Sequence, residues 1–212
     1  MSLVERIHGG YVHCRRIRVI ASHLSALVPP GSELLDVGCG DGLLSWYIAQ
    51  ARPDLRVSGI DVLARHSTHI PVSAFDGLTI PRPDRGADVL LFVDVLHHMA
   101  DPVRLLLEAA RVARRAIIIK DHVLTGVLAG PTLRFMDWIG NARHGVPLPY
   151  NYWPLARWNA AFEESGLKVE AWIGDLRLYP WPTDYVFGRS LHFVARLAAR
   201  GSSPSIGCSA SS

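Results

Sequence analysis

Residues 33–42 read Glu-Leu-Leu-Asp-Val-Gly-Cys-Gly-Asp-Gly: a short apolar run that stops in three alternating glycines. Nothing else in the chain limits its fold as much. An apolar run of this length suits a strand buried in a sheet. The glycines permit positive φ and let a ligand come close to the backbone. The apolar residues that follow, to about Ala51, read as a helix, and its N-terminus favours negative charge. Arg52-Pro53-Asp54 closes that helix.

The pattern repeats along the chain. Leu55 to Asp61, Ile70 to Phe75, Ala87 to Val93 and Ala116 to Ile119 read as further strands. Ala87 to Val93 is apolar throughout except for Asp88, as expected of a strand covered on both faces. Asp101-Pro102 starts a helix, with Asp as cap and Pro in the first turn. Before the first strand, Ile17, Ile20, Leu24 and Leu27 recur at helical spacing and Pro29-Pro30-Gly31 ends their helix. After Lys120 come a helix around Leu133 to Ala142, a helix marked by Leu155, Trp158 and Phe162, and strands at Leu167 to Ile173 and Ser190 to Leu197. Strand and helix in alternation predict an α/β, doubly wound sheet. We expect one domain over residues 1–200: a helical lead-in at 1–30, a cover over the substrate at 121–153, and a disordered Gly/Ser tail at 201–212.

Two ligand classes use such a glycine turn. A dinucleotide seats its pyrophosphate on G-x-G-x-x-G. Here the last position of that pattern is Leu43, and the glycines run G-x-G-x-G. Asp61, at the end of the second strand, can accept both hydroxyls of any ribose, so it does not discriminate between the classes. Residues 33–42 resemble motif I of class I S-adenosylmethionine (SAM)-dependent methyltransferases. Gly59-Ile60-Asp61-Val62 is similar to their acidic second motif. Phe75-Asp76-Gly77 is similar to the third. Phe92 to Pro102, with Asp94 and His97-His98, is similar to the fourth motif of the small-molecule branch (types 11 and 12). The match runs in order over about residues 30–120. The resemblance implies a Rossmann-like sheet of about seven strands, mostly parallel with an antiparallel C-terminal strand. It also implies SAM as cofactor, demethylated in turnover to S-adenosylhomocysteine (SAH). Asp36, Gly38, Gly40, Asp61, Val62, Asp76, Gly77 and Asp94 are the cofactor-binding positions it implies. Gly38 and Gly40 hold the methionine portion, Asp61 the ribose and Asp76 the adenine amine.

One stretch departs from the pattern. Val62 to His69 leaves about eight residues for a helical crossover that needs roughly 10–12. Pro71 disfavours a helix running into the third strand. We expect at most one helical turn there and a more open adenine side.

Ligands of open α/β sheets bind at the carboxyl ends of strands, so acceptor residues should follow strands four and five. His122, after Lys120-Asp121, and His144, in the cover, are the candidate bases. His97-His98 belongs to the resembled motif, where it shapes the strand end. Five of the six tryptophans lie in 135–187. We take His98, Trp138, Tyr150 and Tyr152 as candidate substrate contacts, and Trp158 and Trp172 as packing. No H-x-x-x-H or carboxylate partner stands at ligand spacing, so no metal is expected.

The remaining features narrow the partners. Net charge is +3 without a dense basic run, which argues against nucleic acid. Cys14, Cys39 and Cys208 form no C-x-x-C, and a reducing, cytoplasmic setting is expected. The charged first sixteen residues do not read as a signal peptide. No apolar run approaches the roughly 20 residues of a membrane span. The slightly positive mean hydropathy of +0.18 leaves an apolar acceptor or peripheral membrane contact open. The expected activity is methyl transfer to a small-molecule or lipid-linked acceptor, oxygen slightly favoured over nitrogen or carbon. The alternatives are a nicotinamide-dependent reductase and a module that holds SAM without turnover.

Overall fold

The computed structural model describes residues 3–199, apart from 64, 127, 142–150, 182, 183, 185, 186 and 189; for 3–13, 137, 139–141 and 199 it describes the backbone alone. The elements in chain order are α1 (Leu3–Leu27), β1 (Glu33–Val37), α2 (Leu43–Ala51), β2 (Arg56–Asp61), β3 (Val72–Ala74), β4 (Ala87–Val93), α3 (Pro102–Val112), β5 (Ala113–His122), α4 (Ala129–Asn141), α5 (Leu155–Glu164), β6 (Leu167–Ile173) and β7 (His192–Ala199). A short 3-10 turn, Leu96–His98, follows β4.

The seven strands form one sheet in the order β3-β2-β1-β4-β5-β7-β6. β1 to β5 pair in parallel. β7 inserts between β5 and β6 and runs antiparallel to both. The expected architecture is therefore present. Past an irregularity between Ala87 and Val89, the central strands alternate between two cores. On β4, Val89 and Leu91 face one side; Leu90 and Phe92 face the other. The first side packs Ile20 and Leu24 of α1 and Ile48 of α2. The second packs Val103 and Leu106 of α3 and Trp158 and Phe162 of α5. Burying each such side chain contributes roughly 1.5–3 kcal/mol, and this two-sided burial is what makes the strands read as unbroken apolar runs.

Local signals hold where they are strong. Asp101 caps α3 by accepting from Arg104 N–H at 3.3 Å, with Pro102 next to it; such a cap contributes about 1 kcal/mol. Residues 62–69 contain bends and no helix among the described residues, as the short crossover predicts. β3 is trimmed to Val72–Ala74 from the expected 70–75.

β5 differs most. It runs from Ala113 to His122, well beyond the expected 116–119. Pairing with β7 out to His122↔His192 extends its far end. Asp121 and His122 thus belong to the sheet and not to a cover that starts at residue 121. The tail at 201–212 lies outside the described residues. No helix among those described is long and apolar enough to cross a membrane.

Candidate active site

β1 is flanked by β2 on one side and β4 on the other, so consecutive crossovers leave it in opposite directions. The carboxyl ends of β1 and β4 border the resulting crevice, where open α/β sheets bind ligands.

The glycine turn fills one side of it. Gly38 has φ +77°, and a Cβ there would lie 2.6 Å from Val95 Cγ2. Any larger residue would force the β1 and β4 ends apart. Gly40 also has positive φ, +61°, but nothing lies within 4 Å of the place its Cβ would take. That open cradle beside a bare backbone fits a ligand. Asp61 braces it: Oδ2 accepts from Gly40 N–H at 2.7 Å and Oδ1 from Leu63 N–H at 2.8 Å. Asp36 lies behind the turn, buried, and its Oδ2 accepts from the Ser45 hydroxyl at 2.6 Å. Burial pushes its carboxyl up to about 7, against the Ser45 bond and with help from Asp61. Asp76 is exposed, and its Oδ1 accepts from Leu78 and Thr79 N–H at 2.7 Å each. Gly77 sits against Val62, 3.0 Å from the position of its would-be Cβ. Gly38, Gly40, Asp61, Val62, Asp76 and Gly77 thus follow the carboxyl ends of β1, β2 and β3, with Asp36 behind the turn; Asp94, also expected at the cofactor, is paired elsewhere.

Across the crevice lies a buried polar network. Asp94 holds φ +57° at the end of β4. It pairs with Lys120 of β5 and, at 2.8 Å, with Arg16 of α1. Burial alone would raise its carboxyl; Lys120, His122 and Arg16 outweigh that and hold it well below the usual range. Lys120 is fully buried, and desolvation lowers its ammonium against the pull of Asp94.

Asp121 supports the next layer. Its Oδ1 accepts from His97 Nδ1 at 2.6 Å and from His122 N–H at 2.7 Å; its Oδ2 accepts from Leu96 N–H at 3.1 Å. Burial would raise this carboxyl too, but the two histidines draw it far down, so it is ionised. His122 Nδ1 lies 3.4 Å from His97 Nδ1 and 3.7 Å from Asp94 Oδ1. Burial first, then Lys120, depresses His122 to about 4. It is therefore a neutral imidazole at pH 7.

The end of the segment after β5 is fastened onto this network. Asn151 N–H donates to His97 O at 3.3 Å and its Nδ2 donates to Met99 O at 3.2 Å. The Tyr152 ring stacks on His97 at 5.5 Å, and its hydroxyl donates to Leu133 O. His98 lies beside His97, ring centroids 4.0 Å apart.

Of the expected acceptor residues, His122, His98 and Tyr152 come together here. Trp138 does not. It is 57% exposed on α4 and stacks on Phe135, which is also exposed; the buried side of α4 is occupied instead by Ala129 and Leu133. His144 and Tyr150 lie outside the described residues. Trp158 and Trp172 are packing, the latter stacked on Phe193 at 4.2 Å.

The ground for expecting no metal also needs correction. Asp94, His97, Asp121 and His122 offer ligand atoms within 4.8 Å of one another. The fold supplies the carboxylates that sequence spacing lacked. Charge balance nevertheless weighs against a resident divalent cation. Asp94 already has two cationic partners, Lys120 and Arg16, and Asp121 is taken up by His97 and by the backbone N–H groups of His122 and Leu96, so an added double charge would meet two carboxylates that are already engaged. Sequence reasoning missed Arg16, Lys120 and Asp121 as site residues. The run Lys120-Asp121-His122 at the end of an apolar strand was the available signal.

A Rossmann-like sheet with this glycine turn, carboxylate-braced crevice and adjoining polar pocket defines a group-transfer or oxidoreductase scaffold with a nucleoside cofactor. Comparison with known proteins resolves which. Residues 11–171 match a family model described as a methyltransferase domain. The chain is 30% identical to the 27-O-demethylrifamycin SV methyltransferase of Amycolatopsis mediterranei over 202 residues, covering 84% of this chain and 72% of that one. Among solved structures it is similar to a mitomycin 7-O-methyltransferase (24% identity, 84% and 52% of the two chains, TM-score 0.59). It is also similar to an O-methyltransferase from neocarzinostatin biosynthesis in complex with SAH and 1,4-dihydroxy-2-naphthoic acid (19%, 84% and 53%, TM-score 0.59). The chain belongs to the class I SAM-dependent methyltransferases and is an enzyme of that family. Neither the nicotinamide reductase nor the module without turnover survives this assignment.

Proposed function

We propose that the enzyme transfers the methyl group of SAM to an oxygen of a small, ring-containing acceptor, with His97 taking the acceptor's proton. Gly38 and Gly40 would hold the methionine portion through their backbone, Asp61 the ribose hydroxyls, Val62 and Gly77 the adenine faces, and Asp76 the adenine amine. SAM supplies an already activated methyl on a sulfonium, so alignment and exclusion of water are the main tasks left to the protein.

A base matters when the acceptor is a hydroxyl, which must lose its proton to become a good nucleophile. The observation that carries the reading is the Asp121–His97 bond of 2.6 Å. A carboxylate on Nδ1 fixes the imidazole's tautomer and orientation and stabilises its protonated form, the logic of a base held by a third group. The sequence favoured His122 or His144 for this role; His97 has the better partner. Asp94 is a poor base, because protonating it would leave Lys120 and Arg16 without their counter-charge. His122 stays neutral beside His97, so a proton gained there meets no second charged imidazole. Oxygen is further supported by the relatives above, whose names place their methylation on oxygen. His98 and Tyr152 are proposed as acceptor walls, with residues 123–153 as the cover.

The test is transfer of labelled methyl from SAM to a panel of phenols and hydroxynaphthoates, followed by His97→Ala on whichever acceptor reacts. We expect turnover to drop roughly 10²–10⁴-fold with SAM affinity unchanged, and a smaller drop for His122→Ala. Full turnover by His97→Ala would remove His97 as the base.

A further inference from the structure

Past Val62, the link between β2 and β3 has no part in the proposed transfer step. It has no helix among its described residues, and Val62, Leu63, Arg65, His66, Ser67, Thr68 and His69 are all exposed. After it, Ile70 packs into the space beside Gly42 and the chain joins the sheet at Val72. Across from this link, Leu78 and Asp76 are exposed as well. Gly77, packed against Val62, brings the two stretches side by side, and we take the space between them as a slot. Val62, Leu63 and Leu78 are its apolar walls, exposed by 56, 44 and 39%. Gly77, pressed against Val62, is its floor. Asp76 is exposed beside it, its Oδ1 accepting from Leu78 and Thr79 N–H, with the charge of Arg104 acting on it and no side-chain hydrogen bond to its Oδ2 among the described residues.

We propose that this enzyme accepts SAM carrying a bulky substituent on the exocyclic amine of adenine. The proposal rests on the reading that adenine lies in this slot with its amine on Asp76. An amine bearing one substituent keeps one N–H, which is all that the uncommitted oxygen of Asp76 requires. The substituent then leaves through the open rim, where an apolar group lies across Leu63 and Leu78 instead of striking protein. Cofactor selection is thereby concentrated at the ribose and methionine ends, on Asp61 and the glycine turn, and relaxed at the adenine rim. A slot covered by a crossover helix would exclude the same substituent sterically.

The test is calorimetric titration of the full chain with two probes, SAH and its N6-benzyl derivative. We expect both to bind, with dissociation constants within about thirtyfold of each other. Binding of SAH with the benzyl derivative weaker than that, or undetectable, overturns the open rim and leaves the cofactor assignment standing. If SAH itself fails to bind, the assignment of this crevice to the cofactor fails first and takes the proposal with it. The readout is affinity, so it needs no acceptor.

Discussion

Asp36→Asn isolates the energetic cost of a charge held inside the fold. The Asp36 side chain is almost wholly buried and has the Ser45 hydroxyl as its donor. Burial, reinforced by the charge of Asp61, raises its carboxyl from 3.8 to about 7. The folded state therefore keeps this proton at pH values where the unfolded chain has released it. Between those two values the unfolded state binds fewer protons, so stability falls as pH rises through the window and is flat above it. About three units at ~1.4 kcal/mol each give a loss of about 4 kcal/mol across the full window. Asparagine is neutral throughout and keeps an oxygen to accept from Ser45. Relative to the native chain, Asp36→Asn should gain about 3 kcal/mol between pH 5 and pH 8, the part of the window lying above pH 5. Urea unfolding of both ligand-free proteins at pH 5, 6.5 and 8 measures it directly. Parallel stability curves for the two proteins over that range would refute the assignment of a neutral buried acid.

Two other perturbations address the crevice and its neighbour. Asp61→Ala removes the acceptor for Gly40 N–H as well as the ribose partner; SAH affinity should fall tenfold or more, a charge-assisted bond contributing about 1.5–3 kcal/mol, and unchanged calorimetric affinity would take Asp61 out of the site. Prolonged dialysis against EDTA should leave both turnover and melting temperature unchanged, because Lys120 and Arg16 already engage Asp94, while His97 and two backbone N–H groups engage Asp121; a loss restored by adding a divalent cation would turn the His97–Asp121 cluster into a metal centre.

The parts of the fold legible in the sequence are those with a local cause. β1, β4 and β6 have the bounds that their residues announce, since an apolar run or a clean alternation ends at a glycine or a charge. The cap on α3 and the missing helix at 62–69 follow from neighbours in sequence too. β5 was read short for the opposite reason. Arg114-Arg115 at one end and Lys120-Asp121-His122 at the other look like the edges of a strand. They remain inside it because distant partners satisfy them: Arg115 donates to Ser32 Oγ at 3.0 Å, Lys120 pairs with Asp94, and β7 supplies backbone bonds out to His192. Local composition cannot report such compensation.

The same reasoning separates the two halves of the site. Asp36, Gly38, Gly40 and Asp61 sit on strand ends and a turn whose geometry is set within a few residues, so their crevice is readable from the chain. The polar network depends on register. Val93↔Lys120 sets Lys120 beside Asp94, and alternation then turns Asp121 the other way, under Leu96 and His97. Strands buried on both faces are apolar at every position, so their pattern carries no phase to fix which residue stands opposite which. A slip of one residue between β4 and β5 would exchange the faces of Lys120, Asp121 and His122, and with them the imidazole that the carboxylate supports. The sequence could therefore place a histidine base at the ends of these strands, whereas choosing His97 over His122 required the register itself.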